Sequence, residues 1–566
     1  MSTTSLNLPH AAPSIGRRKP RLNGWSVFAV AVAGLVAVPV VFVLSAAFHP
    51  GGEVWEHLVD TVLGRYVANT LWLMLWVGLG TAVGGVGTAW VVTMCHFPGR
   101  RLFEWTLLLP LAMPAYVIGY TYTGMFEFAG PVQTALREFM GWTRNDYWFP
   151  EVRSLGGAAA MLTFVLYPYV YLLSRAAFLE QSVCVLEISR VLGRSPWRCF
   201  VGVALPLARP AIVAGCALVL METLNDYGTV QYFGVDTFTT GIFRTWFGLG
   251  DATAATQLAA LLLVFVFALL LAERWSRGGA RFHHTSIRYR PLPRFQLGRP
   301  AQALALLCCL APIVLGFLLP VAQLTVWALR TAQHMVDASF LRLAWNSASL
   351  AAAAALLAVV VAVLLSYGLR LGATRITVFA TRVASMGYAV PGMVLAIGVM
   401  LPFAWLDNTV DSWTRGTFGV STGLILSGTL FALLFAYLVR FLAISFNTVD
   451  ASLVKVTLNM DSAARTLGAR PLATFLRVHA PIMSGSLLTA ALLVFVDVMK
   501  ELPATLILRP FNFNTLAVRT FELASDERLA DASNAALAIV AVGILPVIVL
   551  SAAISRSRPG HTGLTP

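Results

Sequence analysis

The chain has 566 residues, of which 58% are hydrophobic and only 12% charged, with a formal net charge of +14. A mean hydropathy of +0.75 excludes an ordinary water-soluble domain of this size, because the recurring apolar runs of about 20 residues are what a bilayer demands. The positive balance does not imply nucleic acid, since the basic residues fall where topology signals belong.

The expected fold class is an all-α polytopic membrane protein of about twelve transmembrane helices, six in each half. The predicted spans begin near Trp25, Val67, Phe103, Leu155, Pro210, Ala254, Ala301, Leu343, Ile376, Phe418, Ile482 and Asn534. The first run, Trp25 to Phe48, is too long for a signal-peptide core and shows no obvious cleavage site, so it reads as a retained span. The second span is rich in glycine (Gly78, Gly80, Gly84, Gly85, Gly87), which lets helix backbones approach closely. Its counterpart is rich in alanine, Ala351 to Ala355 with Ala358 and Ala362.

Pro114 and Pro391 interrupt equivalent spans, either as breaks beside a pathway or as packing kinks. The stretch from Met125 to Ser154 reads as the largest outer loop of the first half. Its aromatic and charged residues, among them Trp142, Arg144, Asp146 and Trp148, suit either docking from outside or an interfacial belt. Arg274–Arg299, with Gly278-Gly279, His283-His284, Pro291 and Pro293, reads as a cytoplasmic linker. The chain thus divides into a tail (1–24), a first half (25–274), a linker (275–300), a second half (301–556) and a closing tail (557–566). Placing both tails in the cytoplasm puts more than half of the 40 basic residues inside, as the positive-inside rule expects. The six cysteines read as small apolar fillers rather than disulfide or metal partners.

The halves are copies of one another. Glu187-Ile-Ser-Arg-Val-Leu-Gly193 and Val203-Ala-Leu-Pro206 recur as Ser462-Ala-Ala-Arg-Thr-Leu-Gly468 and Val478-His-Ala-Pro481, shifted by 275 positions. The same shift carries Glu222 onto Asp497, Asp226 onto Glu501, Arg244 onto Arg519 and Asp251 onto Asp526, while Asn69 and Pro114 match Asn346 and Pro391 at 277. A repeat this long means two homologous halves related by a pseudo-two-fold axis.

Each repeated cytoplasmic segment reads as a short helix, a glycine turn and a second helix closed by proline, giving two equivalent docking knobs for a two-fold partner. The segments lie at about 181–206 and 447–481. No G-x-x-x-x-G-K-[ST] phosphate loop occurs, and the only lysines, Lys19, Lys455 and Lys500, never follow glycine. Any ATP hydrolysis must come from another chain.

The span after each knob carries Glu222 and Asp226, or Asp497 and Glu501, where apolar residues are expected. Spaced i to i+4, each pair is predicted on one helix face. Charges in a span are costly enough that they usually face water or a partner. Four carboxylates gathered at the axis, with Tyr227 and Tyr232 nearby, would make a hard oxygen site suited to a small cation. A gate and an ion-pair network in which Lys500 meets Asp497 or Glu501 remain open alternatives. Arg244 with Asp251, and Arg519 with Asp526, read either as loop-holding pairs or as exposed pairs of little energy.

The repeated knobs resemble the "EAA" coupling loops of permease subunits in type I ATP-binding-cassette (ABC) importers. Glu187 and Gly193 match that pattern in the first half and Gly468 in the second, where Ser462 replaces the glutamate and Asp461 precedes it. The stretches from Glu222 to Gly234 and from Asp497 to Thr505 resemble the fused permeases of bacterial ferric-iron importers. The resemblance implies a MetI-like fold in the bacterial inner membrane, two ATPase subunits at the coupling loops with Mg-ATP on them, and a periplasmic iron-binding protein outside. It also implies Fe³⁺ as cargo, with no cofactor held by this chain. Thiamine, phosphonate and polyamine permeases are relatives of that family, and an ion-driven secondary transporter is the competing class.

Overall fold

The computed structural model describes residues 24–180, 195–277, 294–454 and 456–556. In the first half α1 (Gly24–Phe48) and α2 (Glu53–Met94) are followed by a span broken into α3 (Arg100–Ala112) and α4 (Ala115–Phe126), bent by 89° where Pro114 intervenes. Then come α5 (Pro131–Met140), α6 (Leu155–Glu180), α7 (Trp197–Asn225), the short helices α8 (Gly228–Tyr232) and α9 (Phe238–Phe243), and α10 (Ala252–Arg277).

The second half repeats this order: α11 (Arg299–Met335), α12 (Ala338–Gly372), α13 (Arg375–Ala384), α14 (Gly392–Phe418) and α15 (Leu430–Leu453). The knob helix α16 (Leu458–Thr466), α17 (Pro471–Met499), α18 (Pro503–Leu508), α19 (Leu516–Ser525) and α20 (Leu529–Arg556) complete it. Among the described residues eleven helices are long and apolar enough to cross a bilayer, or twelve if the bent pair counts as one span. A two-residue parallel bridge, β1 (Cys95–His96) with β2 (Phe295–Gln296), ties the end of the linker to the end of α2. His283 and His284 lie outside the described residues.

The halves are interlocked rather than side by side. The first helix of each packs on the other half: α1 against α13 and α14, and α11 against α4. Ser26 Oγ lies 2.9 Å from Thr377 Oγ1, and the Tyr122 hydroxyl donates to the Leu315 carbonyl at 2.7 Å. That carbonyl sits in a π-turn of α11, where the displaced backbone frees an acceptor.

The glycine stripe of α2 packs on α6, as its spacing predicts. A Cβ at Gly85 would lie 2.7 Å from Val170 Cβ and 2.8 Å from the Tyr171 amide nitrogen, whereas at Gly87 it would meet nothing within 4 Å. Gly85→Val is therefore expected to destabilise the protein by about 1–3 kcal/mol through forced backbone separation. Gly87→Val should be nearly neutral, and thermal unfolding in detergent compares the two. In the second half Ala351, Ala355, Ala358 and Ala362 form the matching buried stripe.

Several boundaries differ from the sequence reading: the second span begins at Glu53 rather than near Val67, the fifth at Trp197 rather than near Pro210, the ninth at Gly392 rather than near Ile376 and the eleventh at Pro471 rather than near Ile482. The tenth span begins at Leu430 rather than near Phe418, because α14 runs straight to Phe418 and ends at Gly419, whose φ of 70° is left-handed. Aspartates on α14 then hold the following loop. Asp411 Oδ1 accepts the Thr422 and Gly423 amides at 2.8 and 3.1 Å, and Asp407 Oδ2 accepts the Ser427 amide at 2.7 Å. The outer stretch after Met125 is not wholly a loop either, since α5 occupies its middle, with Phe139 and Trp148 beside it exposed. Cys95, Cys199, Cys216, Cys308 and Cys309 are free thiols; Cys184 lies outside the described residues.

Candidate functional site

The two acid-bearing spans end where the acids begin. α7 stops at Asn225, and Asp226 is extended (φ −66°, ψ 130°). α17 stops at Met499, so Glu501 also lies past its helix. The expected i to i+4 face is broken in each half, and the two acids of a pair do different things. The short helix that follows each break begins with unpaired amides, and a carboxylate just before it is drawn to them.

Asp226 and Glu501 hold the next short helix. Asp226 Oδ1 accepts the Thr229 hydroxyl at 2.9 Å and Oδ2 the Val230 amide at 3.0 Å. Glu501 Oε1 accepts the Ala504 amide at 3.0 Å, and its Oε2 accepts the Thr505 amide and hydroxyl at 3.1 and 2.6 Å. Glu501 also takes Arg440 Nη1 at 3.2 Å, with side-chain exposures of 2% and 8%. Arg440 sits in the middle of α15, a charge inside an apolar run. The sequence reading missed it, although an arginine at that depth signals a partner.

Glu222 and Asp497 instead line one cavity between the halves, each with its own partner. The Tyr388 hydroxyl donates to Glu222 Oε1 at 2.8 Å, joining α7 to the turn before α14, and Tyr169 of α6 lines the same cavity. Lys500 Nζ pairs with Asp497 Oδ1 at 2.9 Å, one of the pairings left open above. The Gly392 amide, first of α14 after the Pro391 break, donates to Asn225 Oδ1 at 2.6 Å.

These groups line one cavity of about 120 Å³, whose walls include Pro114, Tyr116, Tyr169, Glu222, Asp226, Tyr227, Tyr388, Arg440, Asp497, Lys500 and Glu501. A larger cavity of about 990 Å³ shares Tyr169, Tyr388, Asp497 and Lys500 and extends past Leu218, Phe267 and Leu493 to Arg274 and Asn447. The tyrosine and ion-pair layer therefore stands between a small polar chamber and a wide apolar vestibule. Opposite the vestibule, Arg153 bridges Glu127 and Glu527 at 2.7 Å each and lies over the Tyr232 ring.

The four acids do not gather as a hard-cation site. Among the described residues no three His, Cys, Asp or Glu side chains come together closely enough to hold a metal ion. Lys500 and Arg440 also bring positive charge into the chamber. The outer pairs differ as well: Arg244 meets Asp236 at 3.0 Å rather than Asp251, which accepts the amides of Thr253 and Ala254. Arg519 lies 3.9 Å from Glu522 rather than beside Asp526.

Of the two knobs, Glu187 and Gly193 lie outside the described residues. The second is complete around α16. Gly468 has φ 77°, and the Ala469 amide returns to the Ala464 carbonyl at 3.0 Å, a left-handed helix end that favours glycine. Asp461, the acid just before Ser462 in this knob, is buried: it takes Arg370 Nε at 2.8 Å and His479 Nε2 at 2.6 Å. Burial works against its charge, but these two donors outweigh burial and hold its carboxyl below the ordinary range.

Residues 77–276 match the family model described as "Binding-protein-dependent transport system inner membrane component". The chain is 26% identical to the Fe(3+)-transport system permease protein FbpB 2 of Haemophilus influenzae, over 93% of this chain and 97% of that one. It is 23% identical to a probable ABC transporter permease protein of Sinorhizobium fredii over 94% and 95% of the two chains. With the molybdenum transport system permease protein ModB of Escherichia coli it shares 27% identity over 34% of this chain but 83% of the relative. One half of this chain thus corresponds to most of a shorter permease, while two full-length relatives carry both halves. With its interlocked repeats and multiple spans, the chain carries the binding-protein-dependent permease component in its first half and is similar to fused permeases along both halves.

Proposed function

We propose that this permease carries ferric iron, delivered by a periplasmic binding protein, across the bacterial inner membrane by alternating access. The observation that carries the choice of cargo is the match to a ferric permease along both halves, against a match to the molybdenum permease confined to about a third of the chain. In this reading both termini and both knobs are cytoplasmic, and two copies of an ATPase subunit bind Mg-ATP and dock at the knobs. The binding protein docks on the outer side. The layer of Glu222, Tyr388, Tyr169, Asp497 and Lys500 joins the halves and serves as the gate between chamber and vestibule; Asp226 and Glu501 shape the chamber, and Tyr227 lines it. Cargo meets this layer transiently, since each carboxylate there already has a protein partner. The positive charges of Arg440 and Lys500 favour a second reading, import of an oxyanion such as molybdate.

Proteoliposomes holding the permease and its ATPase decide between them. Hydrolysis is measured with the binding protein empty, loaded with Fe³⁺ or loaded with molybdate. Selective stimulation by the Fe³⁺ form supports the iron reading, and stimulation by the molybdate form alone overturns it. An ATPase that never copurifies would overturn the docking role. Gly468→Val tests the knob itself: a β-branched residue in the left-handed region costs about 1–2 kcal/mol. ATPase copurification should then fall while the permease remains in the membrane.

A further inference from the structure

The buried contacts of Asp461 tie the second knob to the helices around it. Arg370, at the end of α12, donates Nε to Asp461 and Nη1 to the Leu453 carbonyl at 2.9 Å. Its Nη2 donates to the Val456 carbonyl at 2.8 Å. One planar guanidinium therefore ties the end of α15 to the knob helix α16, a task suited to its fixed fork of donors. The other carboxylate oxygen of Asp461 holds His479 at the base of α17, where the imidazole is 1% exposed. Tyr367, one turn before Arg370, lies edge-on to that imidazole and donates to the Pro471 carbonyl at 2.9 Å. Three helices thus meet at one carboxylate, and Arg370 adds the end of α15. At the matching positions the first half carries Thr93, Leu186 and Ala204, none of which can build this network.

We propose that Arg370, Asp461 and His479 form a transmission clamp that makes the second knob move as one body with α12, α15 and α17, so that ATPase motion at this knob reaches the membrane helices. The clamp rests on the importer reading above. These are positioning residues: they touch neither cargo nor ATP. A knob freed from its spans can still dock and permit hydrolysis, but its displacement is lost in local bending.

The test uses the full permease–ATPase complex in proteoliposomes with loaded binding protein, measuring cargo moved per ATP hydrolysed. Asp461→Asn and Arg370→Lys are compared with the wild type and with Asp461→Glu as the conservative variant. Arg370→Lys keeps the charge but loses the fork. The expected result is a fall in cargo per ATP of about fivefold or more, the lower range of ordinary coupling between sites. Copurification and stimulated hydrolysis are retained, and Asp461→Glu partly restores the ratio. An unchanged ratio in either variant overturns the clamp. Loss of ATPase copurification from a permease that still inserts also overturns it, because Asp461 would then serve docking. If Asp461→Asn fails to accumulate, Arg370→Lys decides alone. Failure of the wild-type chain to bind any ATPase is a separate outcome, which removes the importer reading itself.

Discussion

Arg440→Met is expected to destabilise the permease by about 3–5 kcal/mol, because it leaves a nearly buried carboxylate without its cation. Glu501 is 2% exposed at its side chain, and Arg440 is its only cationic partner among the described residues. Three further donors, the Ala504 amide and the amide and hydroxyl of Thr505, depend on the same carboxylate. Its displacement would release the start of α18 and with it one wall of the chamber. Adding Glu501→Gln to Arg440→Met should recover most of the loss, since a neutral amide can still accept from α18 without an unpaired charge. Thermal unfolding of the three variants in detergent makes the comparison. Equal instability of single and double variants would show that packing of the long side chain, rather than charge, is what matters.

Glu222→Ala and Asp226→Ala should separate sharply, although they stand four positions apart. Glu222 bonds across the halves to Tyr388 and caps nothing. Removing it should cut transport about tenfold or more, the equivalent of about 1.4 kcal/mol, with little change in melting temperature and with the ATPase still bound. Asp226 anchors α8 through Thr229 and Val230. Its loss should cost about 1–2 kcal/mol of stability, as for other helix caps, and transport should fall with folding. Wild-type transport by Glu222→Ala would remove that carboxylate from the pathway. An unchanged melting temperature in Asp226→Ala would show that α8 is held by its packing alone.

Much of this molecule is legible from its residues because bilayer physics is severe. A span must be long and apolar, so the spans stand out, and the duplication fixes their pairing. The small-residue stripe of α2 points to close packing for the same local reason, and Pro114 and Pro391 mark breaks because proline removes an amide and clashes with the preceding turn. What stayed hidden depended on partners distant in sequence. Arg440 was visible as a charge in an apolar run, but its partner Glu501 is 61 positions away. Tyr388 carries no signal in its neighbourhood that it will meet Glu222 on the opposite half. Asp461 stood out only as the acid before Ser462 in the knob, and its partners Arg370 and His479 lie 91 and 18 positions away.

By itself the sequence determined the membrane class, the twofold repeat, the lack of a phosphate loop and the places where charge enters the spans. These follow from composition, spacing and the cost of burying charge. Only the tertiary structure decided that the first helix of each half crosses to the other, that paired acids divide into helix anchors and cross-half contacts, and that one knob is clamped to its spans. The reason is geometric: where a helix ends decides which face its next acid presents, and which distant helix lies against that face decides whether the acid caps, pairs or lines a path.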